Sequence, residues 1–144
     1  MEYFPHVLGQ AESDALASRI DDHFRRHGFG LWAVEIPSVV DFAGFVGLAI
    51  PRFVAPFTPC VEIGWRLATA YWGRGYATEA AQAAVAFGFR EVGLRDIVSF
   101  TVPENLGSRR VMEKIGMTHD RAGDFVHPGV GTPHVLYRLA RHSG

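Results

Sequence analysis

Residues 62–80 read EIGWRLATAYWGRGYATEA, and their reading decides the fold. Within a strand expected over Cys60 to Ala68, Glu62, Gly64 and Arg66 share one parity, while Val61, Ile63, Trp65 and Leu67 share the other. That is the alternation of a strand with one apolar face. After Tyr71-Trp72 comes Gly73-Arg74-Gly75, and then an alanine-rich run to Val92 in which Ala81, Val85 and Phe89 recur at i+4. This spacing predicts a buried helix, and Gly93 ends it. Two glycines let the backbone turn tightly and come close to a ligand. The helix opens with N–H groups that have no intrahelical partner, a geometry that binds phosphates. The loop is not a P-loop, because no Lys-Ser/Thr follows Gly75 at the required place, and it lacks the third glycine of G-x-G-x-x-G. By itself it fits a plain tight connection as well as an anion site.

Working outward, Ile97 to Val102 (IVSFTV) is rich in β-formers. A strand, a helix and a second strand in succession imply a parallel pair. Pro103-Glu104-Asn105 breaks that strand and starts another helix, with Val111, Met112 and Ile115 on its apolar face and Gly116 as its stop. Asn105 is a favoured N-cap, which leaves Ser108 as a first-turn residue. Upstream, Leu16, Ile20 and Phe24 recur at i+4 and predict an amphipathic helix over Gln10 to His27. Leu31 to Ile36 and Phe42 to Ile50 read as a hairpin, and Pro51, Pro56 and Pro59 mark an irregular loop. The tail holds short strands around Met117–His119, Phe125-Val126 and Val135–Leu139. The result is an α/β (α+β) chain with a mixed central sheet flanked by helices.

Composition narrows the function classes. The chain has 144 residues, 48% apolar and 20% charged, with a net charge of -1. This length fits one domain with a real core and excludes a disordered or fibrous chain. The balance of charge offers no global field to nucleic acid or an anionic membrane. No apolar run approaches a membrane span of about 20 residues, and MEYFPHVLGQ has no signal-peptide pattern. The single cysteine, Cys60, excludes an intrachain disulfide and fits a reducing, cytoplasmic setting. The seven histidines form no spaced ligand set, so no metal is expected.

Taken together, EIGWRLATAYWGRGYATEA (Glu62 to Ala80) and TVPENLGSRRVMEKIGM (Thr101 to Met117) resemble the GNAT N-acetyltransferases, in particular the RimJ/RimL-like branch (the Acetyltransf_3 type). The resemblance runs from about Tyr3 to Leu139 and implies acetyl-CoA as cosubstrate and an amine as acceptor. The family's loop has the form Q/R-x-x-G-x-G/A, which puts Trp72 at the first position, Gly75 at the fourth and Ala77 at the sixth. The resemblance implies that Trp72, Gly73, Arg74, Gly75, Tyr76, Ala77 and Thr78 surround the pyrophosphate. It further implies that Leu67 and Ala68 pair with pantetheine as with another strand, that Asn105 contacts the pantetheine arm, and that Ser108 hydrogen-bonds the CoA sulfur. Arg110, with Arg74 or Arg109, would pair with phosphate, which suits guanidinium well.

Direct transfer to an amine needs a general base within reach and N–H donors for the developing oxyanion, expected from the Glu62–Ala68 strand. Glu62 is the first candidate base and His127 the second, since histidine titrates near neutrality. Acceptors in this branch include protein N-terminal amines and small amines such as polyamines. A non-catalytic acyl-CoA-binding or regulatory module is the alternative. Family members usually carry another strand and helix ahead of the segment matching Glu2-Tyr3-Phe4-Pro5, where this chain begins. The expectation is therefore a single domain, residues 1–144, short at its N-terminus. That shortness reads as a misplaced start, a trimmed chain, a remnant of low turnover, or an open form covered by a partner. An uncovered LWAVEI edge strand would then be an association site, and a homodimer is expected.

Overall fold

The computed structural model describes residues 10–141, with side chains from residue 18 onward. Glu2-Tyr3-Phe4-Pro5 and the leader reading of the first residues lie outside them. Helix α1 spans Gln10–His27 and is followed by strands β1 (Leu31–Ile36), β2 (Val40–Ala49) and β3 (Glu62–Leu67). A short 3-10 turn, Thr69–Tyr71, leads through the glycine loop into α2 (Tyr76–Phe87). Then come β4 (Asp96–Thr101), α3 (Leu106–Lys114), β5 (Thr118–His119), β6 (Phe125–Val126) and β7 (Pro133–Ala140). The element order is the one the periodicities predict.

The strands join in one sheet of order β1-β2-β3-β4-β7-β5, with β6 on β7. Among the described residues only β3 and β4 run parallel, and every other pair is antiparallel. Strand ends shift by one or two residues, with β3 at Glu62–Leu67 rather than Cys60–Ala68 and β4 at Asp96–Thr101 rather than Ile97–Val102, and three further differences have visible causes. Strand β2 starts at Val40, two residues early, because Ile36 pairs with Val40 across a tight turn that holds Ser38 at φ 66°. The α-helical part of α2 stops at Phe87, and Gly88–Val92 form a π turn. A side chain at Gly88 would press within 3.0–3.2 Å of Leu48, Leu94 and Ile97, so the chain is packed tightly where it widens. Strand β7 extends to Pro133 and Ala140, drawn out by pairs with Val126 and Asp96.

Alternation along the strands separates two apolar layers. Ile63, Trp65, Ile97 and Tyr137 pack on one face against Ala81, Ala84 and Val85 of α2 and Met112 of α3. Val98, Phe100 and Leu136 point to the other face, where Phe53, Phe57, Cys60 and Phe125 cover them. That second cover reaches only the β4–β7 half of the sheet. Among the described residues, that cover does not extend over the far side of β3.

Candidate active site

The parallel pair is the origin of the site. Strands β3 and β4 share one register pair, Glu62↔Val98, whereas β2 and β3 share six, from Gly44↔Leu67 to Ala49↔Glu62. Val98 N–H donates to the Val61 carbonyl at 2.9 Å, and the Ser99 hydroxyl donates to the Ile63 carbonyl at 2.9 Å. Beyond these contacts the two strands part. Odd positions of β3 turn their main chain toward β4 and even positions toward β2, as the Val61, Ile63 and Ala68 bonds show. The open slot therefore faces the main chain of Trp65 and Leu67.

Next to the slot lies a cavity of about 400 Å³. It is lined by Leu67, Trp72, Gly73, Gly75, Tyr76, Ala77 and Thr78 from β3 and the loop, and by Asn105, Ser108 and Arg110 from the start of α3. Ten of the residues singled out in the sequence thus meet in one place. Gly73 and Gly75 hold φ of 73° and 82°, and a Cβ on either would meet nothing within 4 Å. They are glycines for the backbone they adopt, and they leave the cradle open. The first helical bond of α2 is Glu79 N–H to the Gly75 carbonyl, and no side chain caps this end. The N–H groups of Tyr76, Ala77 and Thr78 therefore have no intrahelical partner. The Trp72 indole N–H donates to the Leu67 carbonyl at 2.8 Å and ties the loop to the end of β3.

On α3, the Asn105 side chain accepts from the Ser108 N–H at 3.2 Å and donates to the Thr101 hydroxyl at 3.2 Å. Asn105 is thus the N-cap, and it also aims Ser108. Among the described residues, Ser108 Oγ and Trp65 Nε1 are the buried side-chain polar atoms without a hydrogen-bond partner, and both residues line the cavity. An orphaned buried polar group costs about 1–3 kcal/mol. Two in one cavity mark a place shaped for something the chain alone does not provide.

Other residues from the sequence reading lie elsewhere. Ala68 gives its N–H to the Ala43 carbonyl and takes the Tyr71 N–H on its own carbonyl. Its main chain is thus occupied within the protein, and Trp65 replaces it as the slot-facing neighbour of Leu67. Arg74 does not line the cavity. Arg109, expected near phosphate, turns inward instead. It donates to the Tyr137 hydroxyl and to the Pro103 carbonyl, both at 3.1 Å, and lies over the Tyr137 ring.

Glu62 lines a separate hollow of about 320 Å³ on the opposite face of β3, with Arg66, Phe45 and Phe100. Burial, and after it the Glu62 carboxylate, pushes the neighbouring Cys60 thiol up to about 11. His127 lines neither space. Its ring sits 4.5 Å from Phe53, 5.1 Å from His134 and 5.8 Å from Phe100, and its Nδ1 accepts from the Gly129 N–H at 3.0 Å. Phe100, which neighbours the His127 ring, also lines the Glu62 hollow.

The sequence reading passed over Trp65, Val111 and Lys114, which also line the 400 Å³ cavity. Lys114 follows Arg110 at i+4, so helical spacing alone places both cations on one face. Trp65 carried no such signal, since its parity marks it only as a core residue.

Residues 1–118 match the acetyltransferase (GNAT) domain family. The chain belongs to the GNAT family. GNAT acetyltransferases use acetyl-CoA. Over 122 residues this GNAT chain is 34% identical to FsC-acetyl coenzyme A-N(2)-transacetylase of Aspergillus fumigatus, covering 79% of the chain and 51% of the relative. It spans about half the length of the curated relatives it matches. Among solved structures it resembles a GNAT-family acetyltransferase from Bacillus anthracis, with a TM-score of 0.73, 28% identity, and coverage of 93% of this chain and 76% of the other. At 21% identity and a TM-score of 0.68, the fold is also that of a ribosomal-protein-S5-alanine acetyltransferase from Vibrio fischeri, over 88% of this chain and 69% of the other. No group of three or more His, Cys, Asp or Glu is placed to hold a metal among the described residues of this GNAT domain. None of its described helices is long and apolar enough to cross a membrane.

Proposed function

We propose that the chain is an acetyl-CoA-dependent N-acetyltransferase acting on a primary amine. The observation that carries this is the cavity at the β3–β4 split, where an uncapped helix N-terminus and two orphaned buried polar atoms converge. The residues present fit an acyl-CoA. The open cradle at Gly73 and Gly75, the N–H groups of Tyr76, Ala77 and Thr78, and the Arg110 and Lys114 side chains suit a pyrophosphate. The slot-facing main chain of Trp65 and the Leu67 N–H suit the amides of pantetheine, by strand addition, while the Leu67 carbonyl holds the Trp72 indole. Asn105 holds α3 against the arm.

Acetyl-CoA supplies an acyl group activated as a thioester: the C–S bond breaks as the amine forms its C–N bond, and CoA leaves as the thiol. Ser108 donates its hydroxyl hydrogen bond at the sulfur end of the cavity. The main-chain N–H groups of β3 in the split serve the carbonyl oxygen, where preorganised donors matter most. The amine enters by the opposite hollow and loses its proton toward Glu62, directly or across one water. His127, behind Phe100, has the smaller claim to that role.

The RimJ/RimL-like branch, with protein N-terminal amines or small amines as acceptors, is part of this proposal. It draws on the Trp72 loop and on the likeness to the S5-alanine acetyltransferase fold. So are a single domain over residues 1–144 and a cytoplasmic setting. We extend it to self-association through β1, an edge of the sheet among the described residues. Sedimentation at rising concentration tests that last point.

The central test is a titration of acetyl-CoA into the chain, followed by thiol release with amines and N-terminal peptides. Binding with release establishes the activity. Binding without release across the panel establishes the alternative, a non-catalytic acyl-CoA-binding module. No binding by the folded chain removes both.

A further inference from the structure

Of the two orphaned donors in the wall of the cavity, the acetyl-transfer reading uses Ser108 and leaves the Trp65 indole N–H idle. Trp65 is 4% exposed. Its indole nitrogen is closed off from solvent and has no acceptor among the described residues. A buried tryptophan usually finds a partner for that N–H, and an unmade bond there is costly. Trp72 makes the contrast. It stands on the exposed loop and donates to the Leu67 carbonyl at 2.8 Å, so the better buried indole is the unpaired one. Packing does not call for the nitrogen. Ile63 and Leu67, the neighbours of Trp65 on the same face of β3, are aliphatic. A phenyl ring would fill the core there with no polar atom to satisfy.

Position along β3 points to what the donor meets. Val61 and Ile63 give their carbonyls to the Val98 N–H and the Ser99 hydroxyl of β4. Trp65 is the next residue of that parity, and so the first to face the slot. On this side β3 offers two main-chain N–H groups, those of Trp65 and Leu67, since Ala68 gives its own to Ala43. The Asn105 carboxamide is engaged with Thr101 and the Ser108 N–H. An acetylated pantetheine arm carries three carbonyl oxygens, one in the thioester and two in amides. Two main-chain donors for three oxygens leave one amide carbonyl short. Resting on the acetyltransferase reading, we propose that the Trp65 indole N–H donates to an amide carbonyl of the pantetheine arm, the ring tipping toward the arm as it seats in the split. The same tryptophan then holds the arm by main chain and side chain, and binding relieves the unpaired donor.

The test needs no acceptor amine. The chain has three tryptophans, so isotope-labelled tryptophan gives three indole N–H resonances, and Trp65→Phe identifies one by its loss. Saturating CoA moves the Trp65 resonance downfield, as a new hydrogen bond does. The nucleotide portion of CoA (a phosphoadenosine diphosphate, without the arm) leaves it in place. Acetyl-CoA moves it as far as CoA. In Trp65→Phe the dissociation constant of CoA rises about tenfold, as for one hydrogen bond, while that of the nucleotide portion stays unchanged. A purely structural tryptophan would weaken both together or neither. Thermal melts check that the variant folds. Where it does not, Trp32→Phe and Trp72→Phe assign the wild-type resonances by elimination.

A Trp65 resonance that CoA leaves in place overturns the proposal, and so does one that the nucleotide portion moves as far. A shift seen only with acetyl-CoA gives the indole to the thioester oxygen and overturns the arm assignment. In each of these cases the ligand binds, and the acetyltransferase reading stands. A chain that takes up neither CoA nor its nucleotide portion defeats that reading and this one together.

Discussion

On the α2/α3 side of β3 the cavity owes its cradle to backbone, with two positive-φ glycines and an uncapped helix end, and Trp65, Trp72, Arg110 and Lys114 stand around that cradle. On the other side, the hollow is lined by side chains that stand on strands, Glu62 and Arg66 with Leu31, Phe45 and Phe100, around the Gly47 and Gly64 pair. The first kind of wall is hard to alter without altering the fold, because its geometry is backbone: positive φ at Gly73 and Gly75, an uncapped helix end and a capped one. The second kind rests on strands that pair whatever side chain points outward, so its charges can be exchanged while the sheet stays as it is. The proposed roles follow the same division. An invariant cosubstrate suits the backbone-built side, and a variable acceptor suits the side-chain-built one.

Substitutions that touch one side only can break this division. Glu62→Gln carries the largest expected effect, a fall in kcat of about a thousandfold, the middle of the range for general-base loss. The dissociation constant of acetyl-CoA stays unchanged, and a weakened constant in calorimetry would mean that the two sides are not separate. Ser108→Ala follows, with kcat down about a hundredfold, as for one lost donor to developing charge. Its melting temperature does not fall, because Ser108 Oγ has no partner in the protein to lose. A clear drop in melting temperature would assign Ser108 to structure instead.

Gly75→Ala sharpens the contrast from the backbone side. The new methyl group meets nothing, so the cost comes from holding φ at 82° alone, about 1 kcal/mol. It is measured in a urea melt together with weaker acetyl-CoA binding. The smallest effect belongs to Cys60. With its thiol pushed up to about 11, only about one thiol in a thousand is ionised at pH 8. Alkylation by iodoacetamide is correspondingly slow and speeds up as pH rises toward that value. Glu62→Gln removes one of the charges that raise it, so more thiolate forms and alkylation at pH 8 quickens.

Much of this was legible in the residues. Strand alternation in EIGWRL, the i+4 apolar series of α2, the glycine loop and the Asn105 cap are all local patterns. Each is dictated by a period or a turn that spans a few residues. Boundaries moved where a neighbour intervened: Val40 joined β2 because Ile36 pairs with it, and Gly88 began a π turn inside a tight pack. The site was legible as far as the loop and the Asn105–Arg110 segment. Four of the site residues singled out in the sequence line neither the cavity nor the hollow, Arg74 among them. Ala68 spends its main chain on Ala43 and Tyr71, Arg109 turns to Tyr137, and His127 sits beside Phe53 and Phe100. Each depends on which way a group faces once distant strands have paired, and no spacing in the chain encodes that. Trp65 went unnoticed for the same reason, since a core-facing parity does not reveal an indole nitrogen without a partner.

The amino-acid sequence by itself determined the order of the elements, the glycine-dependent turn into α2 and the cap that starts α3, because short-range sterics and hydrogen bonding specify them. Only the tertiary structure decided that β3 and β4 pair once and then part. That split brings residues some forty positions apart around one cavity and puts Glu62 and Arg66 on its far side. It is a balance of long-range pairing and packing, which the chain settles only when it has folded.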